Sequence, residues 1–208
     1  MDVSIIIPYN KDRGFLKHAV ESAKGQKFTG AFEVILAKGD KPLPHNVNKG
    51  VEKATGKYIR FCAEDDRLDQ NAIQQQFDFC EKNQLDWCVS NAMNVNNKNE
   101  AALHISKLGT HRQIAASNTI HGGSTMYRRD VFIEAGGYDV QLWTAEEYEF
   151  HLRLLQKGYK VAHLDYVTYY HYLHKQSKSY RSRKNHDRRK TEREKLITEL
   201  KTKYRDWT

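Results

Sequence analysis

The strand-like run Tyr58-Ile59-Arg60-Phe61-Cys62 leads through Ala63 into three consecutive acids, Glu64-Asp65-Asp66, then Arg67-Leu68. Carboxylates released together at a strand end repel one another, and a divalent cation that also carries a phosphorylated ligand relieves that repulsion. A solvated acidic turn is the competing reading of the same residues. A second carboxylate pair, Glu146-Glu147, precedes an apolar helical face of Tyr148, Leu152 and Leu155. A carboxylate there can take a proton from an attacking hydroxyl. Equally, Thr144-Ala145-Glu146-Glu147 fits a capping box, with Glu147 tied back to the helix start. The ten histidines offer many false metal ligands. His18, His104, His111 and His163 read as ordinary surface or satisfied residues.

The elements that must position these groups alternate in type. Val3 to Pro8, Phe32 to Ala37, Lys57 to Cys62 and Asp86 to Ser90 read as strands. Between them Leu16, Ala19, Val20 and Ala23, the Gly50 to Ala54 segment, and Ile73, Phe77 and Cys80 fall at helical spacing. Strand and helix in alternation predict an α/β fold with a mainly parallel sheet covered on both faces, a Rossmann-like half. Ligands of such sheets sit at the carboxyl ends of the strands, so Pro8-Tyr9-Asn10, Lys38-Gly39-Asp40 and Glu64-Asp65-Asp66 are expected to share one crevice. Residues 91–120 are polar and without clear period, and read as a loop region holding a short edge strand.

The chain of 208 residues fits one domain with a core of its own. Cys62, Cys80 and Cys88 are odd in number, contain no C-x-x-C pair and lie in apolar surroundings, which predicts packed thiols in a reducing, cytoplasmic compartment. No export segment and no bilayer-length apolar run is visible. The net charge of +8 belongs to the end of the chain: from Lys175 onward there are 13 Lys and Arg against 5 Asp and Glu, and the rest balances. Leu196, Leu200, Tyr204 and Trp207 give that tail one apolar stripe. Residues 1–178 are therefore expected to form the domain and 179–208 a basic amphipathic helix, which packs on the body, meets an anionic membrane surface or a partner, or binds nucleic acid. The last is disfavoured, because no aromatics interleave the charges between Arg181 and Arg193.

Five ordered motifs carry a resemblance. Val3-Ser4-Ile5-Ile6-Ile7-Pro8-Tyr9-Asn10, Asn48-Lys49-Gly50-Val51 through Ala54-Thr55-Gly56-Lys57-Tyr58-Ile59, the acidic turn, His121-Gly122-Gly123-Ser124 with Gly136-Gly137-Tyr138-Asp139, and Glu146-Glu147 through Arg153 resemble family 2 glycosyltransferases of the GT-A fold. The likeness runs over roughly residues 3 to 180 and extends to the Tyr170-to-Ser179 segment, whose His174 falls on the family's closing histidine. The resemblance implies manganese or magnesium bound by Asp66, with Asp65 on the donor ribose or a metal-bound water and His174 completing the shell. It also implies donor contacts from Pro8, Tyr9, Asn10, Lys38, Asp40, Asn48 and Asp65, and acceptor contacts from Gly122, Gly123 and Ser124. Glu147 stands at the general base, with Glu146 beside it. Five departures are visible: Ala63 stands where many members carry the first Asp, Glu64 is an added acid, Lys38-Gly39-Asp40 replaces Asp-Asp-Gly-Ser, Glu147 stands where members usually carry Asp, and Tyr172 replaces the Arg of the closing segment.

The expected activity is a metal-dependent, inverting transfer of a sugar from a nucleotide diphosphate, UDP foremost, to a hydroxyl of a glycan or lipid-linked acceptor. The rivals are a nucleotide-sugar-binding protein without turnover and a nucleotidyltransferase. The second normally carries a Gly-rich phosphate loop near the first strand, whereas Pro8 to Phe15 holds a lone Gly14.

Overall fold

The computed structural model describes residues 1–40, 42–177 and 188–205. The strands are β1 (Val3–Tyr9), β2 (Phe32–Lys38), β3 (Tyr58–Phe61), β4 (Arg67–Leu68), β5 (Trp87–Val95), β6 (Ala101–His104), β7 (Thr125–Arg128) and β8 (Val161–Tyr172). The helices are α1 (Leu16–Lys24), α2 (Leu43–Lys53), α3 (Ala72–Asn83), α4 (His111–Ala116), α5 (Arg129–Glu134), α6 (Glu146–Gln156) and α7 (Arg188–Arg205).

One sheet runs in the order β2-β1-β3-β7-β5-β8-β4, with β6 hairpinned onto β5. The β2-β1-β3 half and the β5-β8 pair are parallel, while β7 is inserted antiparallel between β3 and β5. β1 is buried from Val3 to Pro8, which is why it reads as an unbroken apolar run rather than an alternation. Its side chains still divide by parity. Val3, Ile5 and Ile7 join the layer under α1 and α3, and Ile6 joins the layer under α2, α4, α5 and α6.

Residues 91–120 hold more structure than their composition suggests. β5 extends to Val95 and pairs with β6, and α4 begins at a capping box in which Thr110 and Gln113 satisfy each other's backbone N–H groups. α7 lays Leu196, Leu200 and Tyr204 on the second core layer, so the stripe read from sequence is used in packing on the body. Lys178, residues 179–187 and Trp207, part of the expected tail and stripe, lie outside the described residues. All three cysteines are buried free thiols. Among the described residues no helix is long and apolar enough to cross a membrane.

Candidate active site

The acidic turn follows β3 directly, at the carboxyl end of the parallel half-sheet. Its three acids have separate fates. Asp66 is buried, and its carboxylate accepts the Tyr172 N–H at 2.8 Å and the Tyr169 hydroxyl at 2.6 Å. Burial, reinforced by the neighbouring Asp65 charge, holds its carboxyl well above the usual range, against those two hydrogen bonds. This aspartate ties the turn to β8. Asp65 instead faces outward: its Oδ2 lies 2.9 Å from His174 Nε2 and 3.3 Å from Arg13 Nη2, and the two side chains stay 14% and 17% exposed. Of the two aspartates expected at a metal, Asp66 has both carboxylate oxygens hydrogen-bonded within the fold, while Asp65 keeps a partly exposed side chain. The His174 ring lies against Phe15, with centroids 4.3 Å apart and the planes tilted by 37°.

Glu64 accepts Arg13 Nε at 2.6 Å through Oε1, and its Oε2 is buried without a hydrogen-bond partner. Burial raises its carboxyl above the ordinary value, and Arg13 opposes that shift. Asp65 and His174 supply one carboxylate oxygen and one imidazole nitrogen to a single point. Among the described residues no three His, Cys, Asp or Glu side chains form a metal cage. That donor set fits manganese or magnesium, which at nucleotide sites takes one or two protein ligands and completes its shell with phosphate oxygens and water.

The other walls are placed as follows. Pro8 and Tyr9 end β1 beside Ala37 and Lys38. Asn46, unremarked in the sequence, donates from α2 to Asn10 Oδ1 at 2.5 Å and lies against Gly39, where a Cβ would come within 2.0 Å of its Oδ1. Lys38 and Asp40 are exposed at the end of β2. Asn48 does not face this crevice with its amide; it donates to Tyr138 O at 2.9 Å and accepts Tyr138 N–H at 3.0 Å, fixing the Gly136-Gly137-Tyr138 turn.

Two glycines join the acidic turn to the carboxylates of α6. A Cβ on Gly122 would lie 2.8 Å from Glu147 Cγ, and one on Gly123 would lie 2.3 Å from the Tyr169 ring, so only glycine admits both neighbours. Tyr169 in turn holds Asp66. Ser124, expected to meet an acceptor, turns into the core: its hydroxyl donates to Ser90 O at 2.6 Å and it is fully buried. Glu146 is 1% exposed, whereas Glu147 is only half-buried. The capping box expected at Thr144 is not formed. The residue before α6 is Ala145, at a left-handed φ of 60°, and no side chain caps the helix. Such a conformation costs a non-glycine residue about 1–2 kcal/mol and clusters at functional sites.

A mixed α/β sheet with an acidic turn at its carboxyl edge is the architecture of the GT-A glycosyltransferases. Residues 41–136 match the family model described as Glycosyl transferase family 2. Among solved structures it is similar to S. aureus TarS 1-349 in complex with UDP-GlcNAc, with 16% identity, a TM-score of 0.69, and coverage of 85% of this chain and 60% of that one. The TarS 1-349 complex with UDP gives 16% identity, a TM-score of 0.67, and coverage of 83% and 61%. A further crystal structure of S. aureus TarS gives the same identity and TM-score, with coverage of 83% and 37%. The chain thus spans less than two thirds of these TarS chains, and the likeness is one of fold. No curated protein matches.

Proposed function

We propose that the chain transfers one sugar from a nucleotide diphosphate donor to a hydroxyl of a glycan or lipid-linked acceptor, with inversion at the anomeric carbon. One observation supports this reading: the half-buried Glu147 packs on Gly122 and Tyr169 on the adjacent Gly123, and Tyr169 donates to Asp66 in the acidic turn. UDP is the favoured donor nucleotide, because the TarS structures of the same fold hold UDP and UDP-GlcNAc.

In the transfer, the acceptor oxygen forms a bond to the anomeric carbon as the bond from that carbon to the diphosphate oxygen breaks. The bonding pair leaves with the nucleoside diphosphate, and the acceptor proton passes to Glu147. Asp65 and His174 would hold manganese or magnesium, which would supply a Lewis acid for the charge developing on the leaving diphosphate. Tyr169 and the Tyr172 N–H keep the turn in place through Asp66. Gly122 and Gly123 let Glu147 and Tyr169 pack directly on the backbone. The three free thiols support a reducing, cytoplasmic setting. The basic face of α7 is suited to an anionic surface near a lipid-linked acceptor.

A panel of UDP-sugars, offered with manganese and a mixture of glycan acceptors, tests the reading. UDP release from one of them, stimulated by acceptor, is expected. UDP binding without release from any member would make this a binding protein that has lost turnover.

A further inference from the structure

Glu64, the acid added to the family pattern, has a partner that the transfer chemistry above does not use. Arg13, on the loop after β1, points its Nε and Nη2 at Glu64 Oε1, both at 2.6 Å. Its Nη2 also reaches Asp65 Oδ2 at 3.3 Å, and its Nη1 donates to the Gln176 carbonyl at 2.9 Å. The guanidinium thereby clasps three segments that converge on the site: the loop after β1, the acidic turn, and the segment carrying His174. A guanidinium has five N–H donors, and these contacts engage four. Its side chain is 29% exposed.

The three contacts are unequal, and this gives the group a direction. Glu64 holds Arg13 closely, while Asp65 is its longest contact and is the oxygen that also meets His174. A divalent ion arriving at Asp65 and His174 competes with Nη2 for that oxygen but leaves the Glu64 pair intact. The released N–H groups then lie beside the ion, where the donor's diphosphate must come. Arginine suits this role because its planar fork matches phosphate oxygens and stays charged at any working pH.

We propose that Arg13, positioned by Glu64, is a second cationic contact of the donor diphosphate, and that it shares Asp65 with the metal before the donor binds. This rests on the glycosyltransferase reading and adds a residue that the acidic motif does not contain.

Calorimetric titration of the full chain with UDP, uridine and manganese ion, each alone and UDP also with manganese, tests it on the wild type, Arg13→Gln, Arg13→Lys and Glu64→Gln. The wild type is expected to prefer UDP to uridine. Arg13→Gln should lose about ten- to a hundredfold in UDP affinity, the loss typical of one charge-assisted hydrogen bond, with uridine unchanged. Without nucleotide, the same variant should bind manganese ion several-fold more tightly, since a competing positive charge has gone. Arg13→Lys should recover part of the UDP preference. Glu64→Gln should also weaken UDP; simple removal of a negative charge would strengthen it, so a weakening marks positioning. Equal loss of UDP and uridine affinity in Arg13→Gln would show a merely structural clasp and overturn the proposal, as would unchanged UDP and manganese affinity in a variant that melts like the wild type. Absence of any UDP preference in the wild type would sink the donor-site reading itself, a failure visible before any variant is compared.

Discussion

Glu146 and Glu147 are the same chemistry one residue apart, and burial separates their roles. A carboxylate that must meet an acceptor hydroxyl has to be reachable; Glu147 is, and Glu146 lies within the fold. Glu147→Gln keeps the side chain's shape but cannot take a proton. It should lower kcat by about 10²- to 10⁴-fold while UDP affinity and melting temperature stay near wild type. Single-turnover kinetics with the accepted UDP-sugar measures this, and a loss below tenfold would place the base elsewhere. The glycine pair and His174 stood out only through the family resemblance, whereas residue types and spacing marked the acidic turn as a cation site and Glu146-Glu147 as a cap or a base. They did not reveal which of two adjacent aspartates faces outward, because that depends on Tyr169 and Tyr172, more than 100 positions away, drawing Asp66 inward. Arg13 was invisible for the same reason: its partners lie 51 and 163 positions along the chain. The only local sign was the unexplained extra acid, Glu64.

At the scale of the element, α6 is seated by contacts that have no sequence signature. His151 lies fully buried with its ring stacked on Trp87 at 5.1 Å, and its Nε2 is 2.7 Å from the Tyr127 hydroxyl. Burial depresses its pKa to about 3. In the unfolded chain it takes a proton near pH 6.5, so between there and about pH 3 the unfolded state binds more protons. Stability from this group is present above pH 6.5 and is lost as pH falls, by up to about 1.4 kcal/mol per pH unit. His121 has the same direction, with a pKa near 3, from burial and then from the neighbouring His171 and His104. Asp66 and Glu64, held above the usual carboxylate range, act in the opposite sense and stabilise the acid side. The informative quantity is therefore a difference. Chemical denaturation from pH 7 to pH 4.5 should show a steeper loss in wild type than in His151→Gln, whose amide still accepts from Tyr127; parallel curves would mean that this imidazole titrates normally in the fold. The left-handed Ala145 was likewise hidden, since alanine carries no turn signal, and the capping-box pattern pointed the other way. α4 was missed because six residues are too few to show a period.

Across the whole molecule, the parallel half was readable because each strand is short, apolar and bounded by polar residues, and each crossover helix keeps one apolar stripe. The antiparallel insertion of β7 was not, because pairing partners are fixed by tertiary packing rather than local propensity. Long-range ties connect the far end of the chain to the site. The Tyr204 hydroxyl on α7 donates to Glu149 at 2.6 Å; Glu149 pairs with Arg153, which donates to the carbonyls of Ala135 and Gly137 in the turn that Asn48 braces. The tail thus supports α6 two residues beyond Glu147 while presenting its charge outward. The proposed function turns on one feature, the Asp65 carboxylate and His174 imidazole that would meet a cation at the donor diphosphate. Calorimetric titration of UDP into wild type and Asp65→Asn, with and without manganese, examines that pair most directly. The account predicts that manganese strengthens UDP binding at least tenfold in the wild type and has no effect in Asp65→Asn; an undiminished manganese effect in the variant would contradict it.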